Sequence, residues 1–472
     1  MTVALAYQKA FAAVLFLAFW SLGRQVPYLI GERGLLPART LFERLGEAGV
    51  SFWQAPSLFW LDASDTALKA GAWLGMLLAL LALLGRAPRA CFALSAPLYL
   101  SYAVACDDFT AFQWDNMLVE VALLSALLPT DRPAPLVRYA LWLLVFKLYF
   151  ESGIAKWQSH LQDWHDGSAM TFYYETAPLP GPLGWYAHHL PERWHHLESW
   201  GALVLELAIP FLVLAGPRAR LVAFASFTGF QIVNTLTANY GFFTYLSTAL
   251  HLVLLEDHHL ARAWSVLTRR PMTEPAAPVP PRPLLQGAGQ LATAAALAAW
   301  LLASAATGLT SFTRSQALDA ALGPIAQAVG TFRVANVYRL FGHITRERIE
   351  PQVELLSDSG GWTEHHLRYK PGDVMRAPSF VAPHQPRLDF RLWFYGLGFR
   401  RGAPEYVHNL LDRLCRDRGA VAPLFEQPLP SGVRASRMAF FSYRFSTPEE
   451  RRATGAYWVR ERMGALQPRS CS

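Results

Sequence analysis

The sequence predicts a polytopic α-helical membrane protein ending in an extramembrane β-rich, sandwich-like domain, and three observations carry that prediction. Of 472 residues, 53% are hydrophobic and 16% charged, where a soluble domain runs near 25% charged. Nine mostly apolar windows, at 5–22, 69–85, 90–105, 111–128, 138–154, 199–215, 221–238, 241–256 and 289–308, approach the length that crosses a bilayer's hydrocarbon core. Beyond residue 310, long apolar runs give way to period-two alternation. The charge changes with the pattern: 19 Lys/Arg stand against 20 Asp/Glu before that point and 23 against 15 after it. An apolar body followed by a basic, water-exposed domain fits this split, and an ordinary soluble enzyme does not.

Residues 1–310 therefore read as a multi-pass helical domain of about nine spans, and 311–472 as an extracytoplasmic domain. The apolar run from Phe11 to Trp20 lacks a small-residue cleavage site and reads as a signal anchor. An odd number of spans puts the termini on opposite sides, and the positive-inside rule chooses the orientation. With the N-terminus inside, the inner loops carry ten cations: Arg86, Arg89, Arg132, Arg138, Arg218, Arg220, Arg262, Arg269, Arg270 and Arg282. The outer loops, almost twice as long in total, carry seven. The stretch 271–286 (PMTEPAAPVPPRPLLQ) is too rich in proline for a helix and reads as an extended connector.

In the C-terminal part, Ile349, Pro351, Val353 and Leu355 alternate with Glu350, Gln352 and Glu354. Ala439, Phe441, Tyr443 and Phe445 alternate with Phe440, Ser442 and Arg444. Both patterns predict half-buried strands. Segment 371–389 holds four prolines and is expected to be irregular. Glu405 to Arg416 reads as an amphipathic helix burying Tyr406, Leu410, Leu411 and Leu414. The four cysteines show no CxxC spacing. A Cys415–Cys471 bridge is open, with the terminal position of Cys471 weighing against it because chain tails are often mobile.

Ionisable groups inside apolar spans are costly and mark candidate sites. Gln113, Asn116 and Glu120 fall on one helix face, with Asp115 turned about 100° away. Lys147 and Glu151 are spaced i, i+4, and Glu206, Gln231, Asn234 and His251 follow in later spans. In one reading these groups are mutual partners holding the bundle together, Lys147 answering Glu120 or Glu151. In the other they line a polar cavity open to the outside. Lys156 then serves as a base beside Glu120 or Glu151, since a Lys kept out of water can give up its proton near neutral pH.

The loop from Lys156 to Trp200 packs five Trp, three Tyr and six His into 45 residues. That density suits the headgroup level of a bilayer or a binding surface built from Trp164, Tyr173, Tyr174, Trp185 and Tyr186. The pairs His188/His189 and His195/His196 lack a third ligand at recognisable spacing, so no metal is expected. The chain has no GxSxG elbow, P-loop or Rossmann glycine pattern; no cofactor is expected and a hydrolase reading has no footing. The basic surplus is almost all Arg, 37 of 42 cations, and carries no expectation of nucleic-acid binding.

Several strings resemble the lipase maturation factor family: FQWDNMLVEVALLSALL (112–128), LYFESGIAKW (148–157), DWHDGSAMTFYYETAPLP (163–180), WYAHHLP (185–191), YRLFGHITRERIE (338–350), YKPGDVMRAPSFVAPHQPRLDFRLWF (369–394) and GAYWVRE (455–461). The resemblance implies a multi-pass membrane protein, in animals of the endoplasmic reticulum, that helps dimeric secreted lipases fold and is not itself a lipase. Its implied partners are a client lipase and membrane lipids. It also implies that 338–350, 369–394 and 455–461 belong to a lumenal, client-engaging domain, with Tyr369, Lys370, Arg376, Phe380, His384 and Arg387 as binding residues. The Arg-, Ala- and Leu-heavy composition and short loops look bacterial, in which case the membrane is an inner membrane and the outer side the periplasm. A fainter pattern, YFESGIAKW followed by DWHDGSAM (149–157 and 163–170), is similar to the membrane body of vitamin K-dependent γ-carboxylase. By that pattern Lys156 takes the place of the catalytic lysine base.

Overall fold

Thr2 accepts a hydrogen bond from Leu5 N and Ser64 one from Ala67 N, each supplying the acceptor that a helix N-terminus lacks. The apolar runs behind them form α1 (Val3–Gly23) and α2 (Asp65–Leu83). The structure, a computed structural model, describes residues 2–130, 134–268, 287–313 and 315–471; the connector at 271–286 lies outside them. The helical body continues with α3 (Pro88–Ala105), α4 (Gln113–Ala126), α5 (Pro135–Trp157), α6 (Glu192–Leu207), α7 (Pro217–Thr237), α8 (Phe243–His251) and α9 (Ala288–Phe312). Proline opens α3, α5 and α7, where its missing N–H has no helical partner to lose.

Each of the nine apolar windows overlaps one of these helices. Among the described residues, four segments are long and apolar enough to cross a membrane: α1, α2, Glu192–Val213 and α9. The 14 residues of α4 rise only about 21 Å, short of a hydrocarbon core of about 30 Å. Trp73, Leu77, Val222, Ile232 and Leu302 lie exposed on the outside of the bundle. That arrangement suits a lipid solvent.

The two ends of the bundle differ. At one, Arg138 and Arg220 both pair with Glu256, and Gln8 donates to the Leu128 carbonyl. At the other, the loops after α1, α3, α5 and α7 meet the C-terminal domain. Arg44 pairs with Glu405, Arg33 with Asp417, Asp108 with Arg391 and Asp163 with Arg346, while Asn239 bonds the backbone at 379–382. The loops that the charge pattern groups as outer thus share one end.

The C-terminal sheet runs β2 (Trp362–His365), β1 (Arg348–Ser357), β3 (Val433–Phe445), β4 (Trp458–Ala465), with β5 (Arg469–Ser470) also on β3, all antiparallel. Cross-strand partners share a face, so Val353 and Met438, Pro351 and Phe440 line one side together. Two helices cover it. In α11 (Arg387–Leu397) the Tyr395 ring lies 5.6 Å from Phe440, and a β-carbon on Gly396 would overlap the Ile349 carbonyl. The second, α12 (Glu405–Arg416), buries Tyr406, Leu410, Leu411 and Leu414, the side read from the sequence. The β-rich domain is one sheet backed by helices; a second sheet, which a sandwich needs, is absent among the described residues.

Two sequence expectations need correction. The polar face of β1 is buried along with its apolar face, because Glu350 sits 2.5 Å from both Arg348 and Lys370 and all three are shut from solvent. Opposite charges that satisfy one another let the strand be covered on both sides, whereas any one of them alone would be costly there. Burial pulls the Lys370 ammonium below its ordinary range against the opposing pull of Glu350. The chain tail, expected to be mobile, is held: Cys471 N donates to the Arg434 carbonyl at 2.9 Å, and Cys471 is disulfide-bonded to Cys415.

Candidate functional site

Ser315 caps α10 (Gln316–Phe332), which packs on α9 with no residue buried and Asp319 as its one charge. The helix ends in a left-handed residue, Arg333. From there an irregular stretch, 334–345, passes into the helical body. Its depth can be read from Trp300, the middle residue of α9, whose indole donates to Glu120 at 3.0 Å. The same carboxylate accepts from Asn336 N at 2.9 Å, Asn336 Nδ2 at 2.8 Å and the Tyr338 hydroxyl at 2.7 Å.

Irregular backbone at membrane depth has no water to bond and must be satisfied by protein. The polar residues picked out from the sequence do this. Glu151 accepts from Tyr338 N at 2.9 Å, Gln113 from Arg339 N at 2.7 Å, and Lys156 donates to the Leu340 carbonyl at 2.8 Å. Lys147 answers Glu120 at 3.4 Å and also donates to Ser304 on α9. Gln231 and His251 both bond the Tyr149 hydroxyl, tying α5, α7 and α8 together. The mutual-partner reading describes these groups.

Lys156 is fully engaged. Its ammonium lies 2.6 Å from Glu206 and 5.2 Å above the Trp164 ring, and its side chain is 2% exposed. It does not line the cavity described below. The enzyme reading finds no support.

A second buried seam joins the C-terminal domain to the body. Asp115, the residue turned away from the Glu120 stripe, holds Arg387 at two points, and Tyr99 and the Phe109 carbonyl complete the guanidinium's partners. Gln25 accepts from Arg387 N at 2.8 Å, and Ser21 accepts from Gln385 N while sharing a hydrogen bond with His384 Nδ1. Burial, reinforced by Arg24 and Arg387, pulls the His384 imidazole down to about 4.

The residues read as binding groups therefore divide. Trp164, Tyr173, Tyr174, Trp185, Lys370, His384 and Arg387 are buried. Trp185 donates to the Ser446 carbonyl, Tyr174 to Glu198, and Tyr173 accepts from Tyr240. Tyr369 is half-buried against His384, and Arg376 is half-buried beside Glu426. Tyr186 and Phe380 stand more than half exposed, together with Met375.

Where the ends of α4, α5 and α9 nearest the C-terminal domain meet α11 there is a cavity of about 650 Å³. Its lining includes Phe112, Trp114, Phe312, Phe341, Phe390, Trp393, Phe394 and Leu397, together with the polar Arg339 and His343. Sequence reasoning missed it. The signal available was the run FRLWFYGL at 390–397, whose apolar residues exceed what one buried helix face needs.

The comparisons with known proteins agree with this architecture. Residues 2–262 match the lipase maturation factor transmembrane domain and residues 334–468 the lipase maturation factor C-terminal domain. Lipase maturation factor 2 of Homo sapiens is 30% identical over 96% of this chain and 80% of its own length. Lipase maturation factor 1 of Bos taurus is 28% identical over 98% of this chain and 87% of its own. No solved structure matches. With both domain models and near full-length relatives matched, the chain belongs to the lipase maturation factor family.

Proposed function

We propose that this membrane protein assists the folding of an exported client, a lipase as its relatives are named for, with its C-terminal domain on the lumenal or periplasmic side. The membrane is that of the endoplasmic reticulum by family resemblance, or the inner membrane in a bacterium. The loop charges support the orientation, and so does the Cys415–Cys471 disulfide, since such bonds persist in oxidising compartments. The helical body is the anchor and organiser: its buried charges hold 334–345 and Arg387, and through them the sheet.

The single observation that carries the client reading is a set of large apolar side chains left exposed on the C-terminal domain and on the loop of the helical body that packs against it. Tyr186, Met375 and Phe380 are 53%, 52% and 52% exposed; Tyr186 lies against Arg451 and Met375 beside Gly455 at the end of the same turn of chain, and apolar side chains grouped on a surface are characteristic of a protein-binding face. Val374 is tied to Tyr457 and Trp458 by backbone bonds, and Ser379 to Asn239, so this face is presented on fixed backbone. Tyr369 and Arg376 flank it.

The test is a crosslinking pull-down of a co-expressed lipase from intact membranes. Tyr186→Glu, Met375→Glu and Phe380→Glu together should sharply reduce lipase recovery and secreted lipase activity at unchanged level of this protein. Undiminished recovery removes the patch as the client site.

A further inference from the structure

The cavity beneath α11 is unclaimed by the client reading, and its chemistry is specific. Its volume falls inside the range of about 300–1,000 Å³ typical of small-molecule pockets, which are likewise mostly apolar with a few placed polar groups. Two polar groups in its wall are buried without partners: the Trp114 indole N–H, on a residue 5% exposed, and the Thr345 hydroxyl. A buried donor left unpaired is costly, so an occupant that brings an acceptor is favoured there. Among the lining residues Arg339 is exposed, lies 4.8 Å over the Phe312 ring and donates to the Ser311 carbonyl, which leaves its charge without an opposite partner in ion-pair contact among the described residues.

Position narrows the occupant. Ala111–Trp114 lead into α4, Ala155 and Gln158 lie at the end of α5, and Ser311 and Phe312 end α9, so the cavity lies where helices leave the apolar zone toward the C-terminal domain. Phe394 and Leu397 on its wall are 41% and 42% exposed, which gives the cavity an apolar rim beside the ends of the apolar helices. A cation there faces the anionic groups of a lipid surface.

We propose that this cavity binds one acyl chain of an anionic amphiphile drawn from the adjoining leaflet. The chain lies against Phe112, Phe390 and Phe394, the first oxygens accept from Trp114, and the carboxylate or phosphate meets Arg339. A fatty acid and a phospholipid offer the same chemistry from two sources.

The test uses the full chain in nanodiscs. Diazirine-bearing palmitate and a diazirine-bearing lysophosphatidylglycerol are photoactivated and the labelled peptides mapped. Labelling should concentrate at 111–114, 339–345 or 390–397. Labelling by palmitate alone identifies a fatty-acid site, by the lysolipid alone or by both a lipid site, and each supports the proposal. Phe394→Glu and Leu397→Glu, at exposed positions that do not threaten folding, should each cut labelling at least fivefold. Arg339→Ala should weaken both anionic probes while leaving an uncharged monoacylglycerol probe unchanged. Labelling spread evenly over the outer helix faces, or indifferent to all three substitutions, overturns the proposal. So does a photoreactive residue at 394 that captures protein and no lipid from intact cells.

Discussion

Asp115 and Arg387 face each other as a two-point ion pair, at 2.7 and 2.8 Å, both wholly shut from solvent. One belongs to α4 of the helical body and the other opens α11, the helix that backs the sheet. The pair therefore fastens the two halves of the molecule at a point water does not reach. Breaking a buried pair is costly because it strands the remaining charge, while replacing both partners with apolar groups is often neutral.

Arg387→Met should accordingly lower stability by about 3–5 kcal/mol, and Asp115→Leu with Arg387→Met should recover most of the loss. Thermal unfolding in mild detergent, followed by C-terminal-domain proteolysis, reads both. A single variant as stable as the parent would mean that the seam is wet.

Glu120 gathers donors from Trp300, Asn336 and Tyr338, so it pins the stretch 334–345 inside the bundle. Tyr338→Phe removes one hydrogen bond to a charged group, worth about 1.5–3 kcal/mol; Glu120→Ala removes all of them. Trypsin cleavage after Arg333 and Arg339 should quicken modestly in the first variant and strongly in the second. Equal cleavage of both with the parent protein would show that the stretch is held by something else.

The placement of these groups shows what the sequence could and could not say. Helix periodicity is local, so the face shared by Gln113 and Glu120, the turning of Asp115 away from it and the buried side of α12 were all legible. What those groups would meet was not. Glu120 finds Asn336 and Asp115 finds Arg387 across more than two hundred residues, and no spacing rule reports contacts at that range. Alternation in β1 was real but misread as half-burial, because pairing of Glu350 with Arg348 and Lys370 is also a long-range fact. The cavity escaped notice for the same reason, since its wall is assembled from several separate segments.

The seam also carries a pH dependence through His384, whose imidazole is held at about 4 by burial, with Arg24 and Arg387 adding to it, against an ordinary value of 6.5. Its neighbours are the Ser21 hydroxyl and the rings of Trp20 and Tyr369. Between those two values the unfolded chain binds a proton that the folded one refuses. Stability contributed by the neutral ring is thus complete above pH 6.5 and lost as pH falls toward 4, by up to about 3 kcal/mol. Melting temperatures measured from pH 7.5 to 4.5 should drop less steeply in His384→Gln than in the parent. Parallel curves would assign the acid sensitivity to other groups.

Cys415 lies in α12 and Cys471 in the tail that follows β5, 56 residues apart in sequence. Closing a loop of that length restricts the unfolded chain, by about 4 kcal/mol on the chain-entropy account. Cys91 and Cys106 are buried and free. Denatured without reductant, the protein should therefore take up maleimide at two sites, and with reductant at all four cysteines. Cys415→Ser should raise the first number to three, because its partner is released, and should loosen the C-terminal tail to proteases without disturbing the helical body. Because such a bond needs an oxidising compartment, the same labelling on protein extracted under rapid thiol trapping reports the side of the membrane. Four reactive thiols in freshly trapped protein would place this domain in the reducing cytosol and end the case for an exported client.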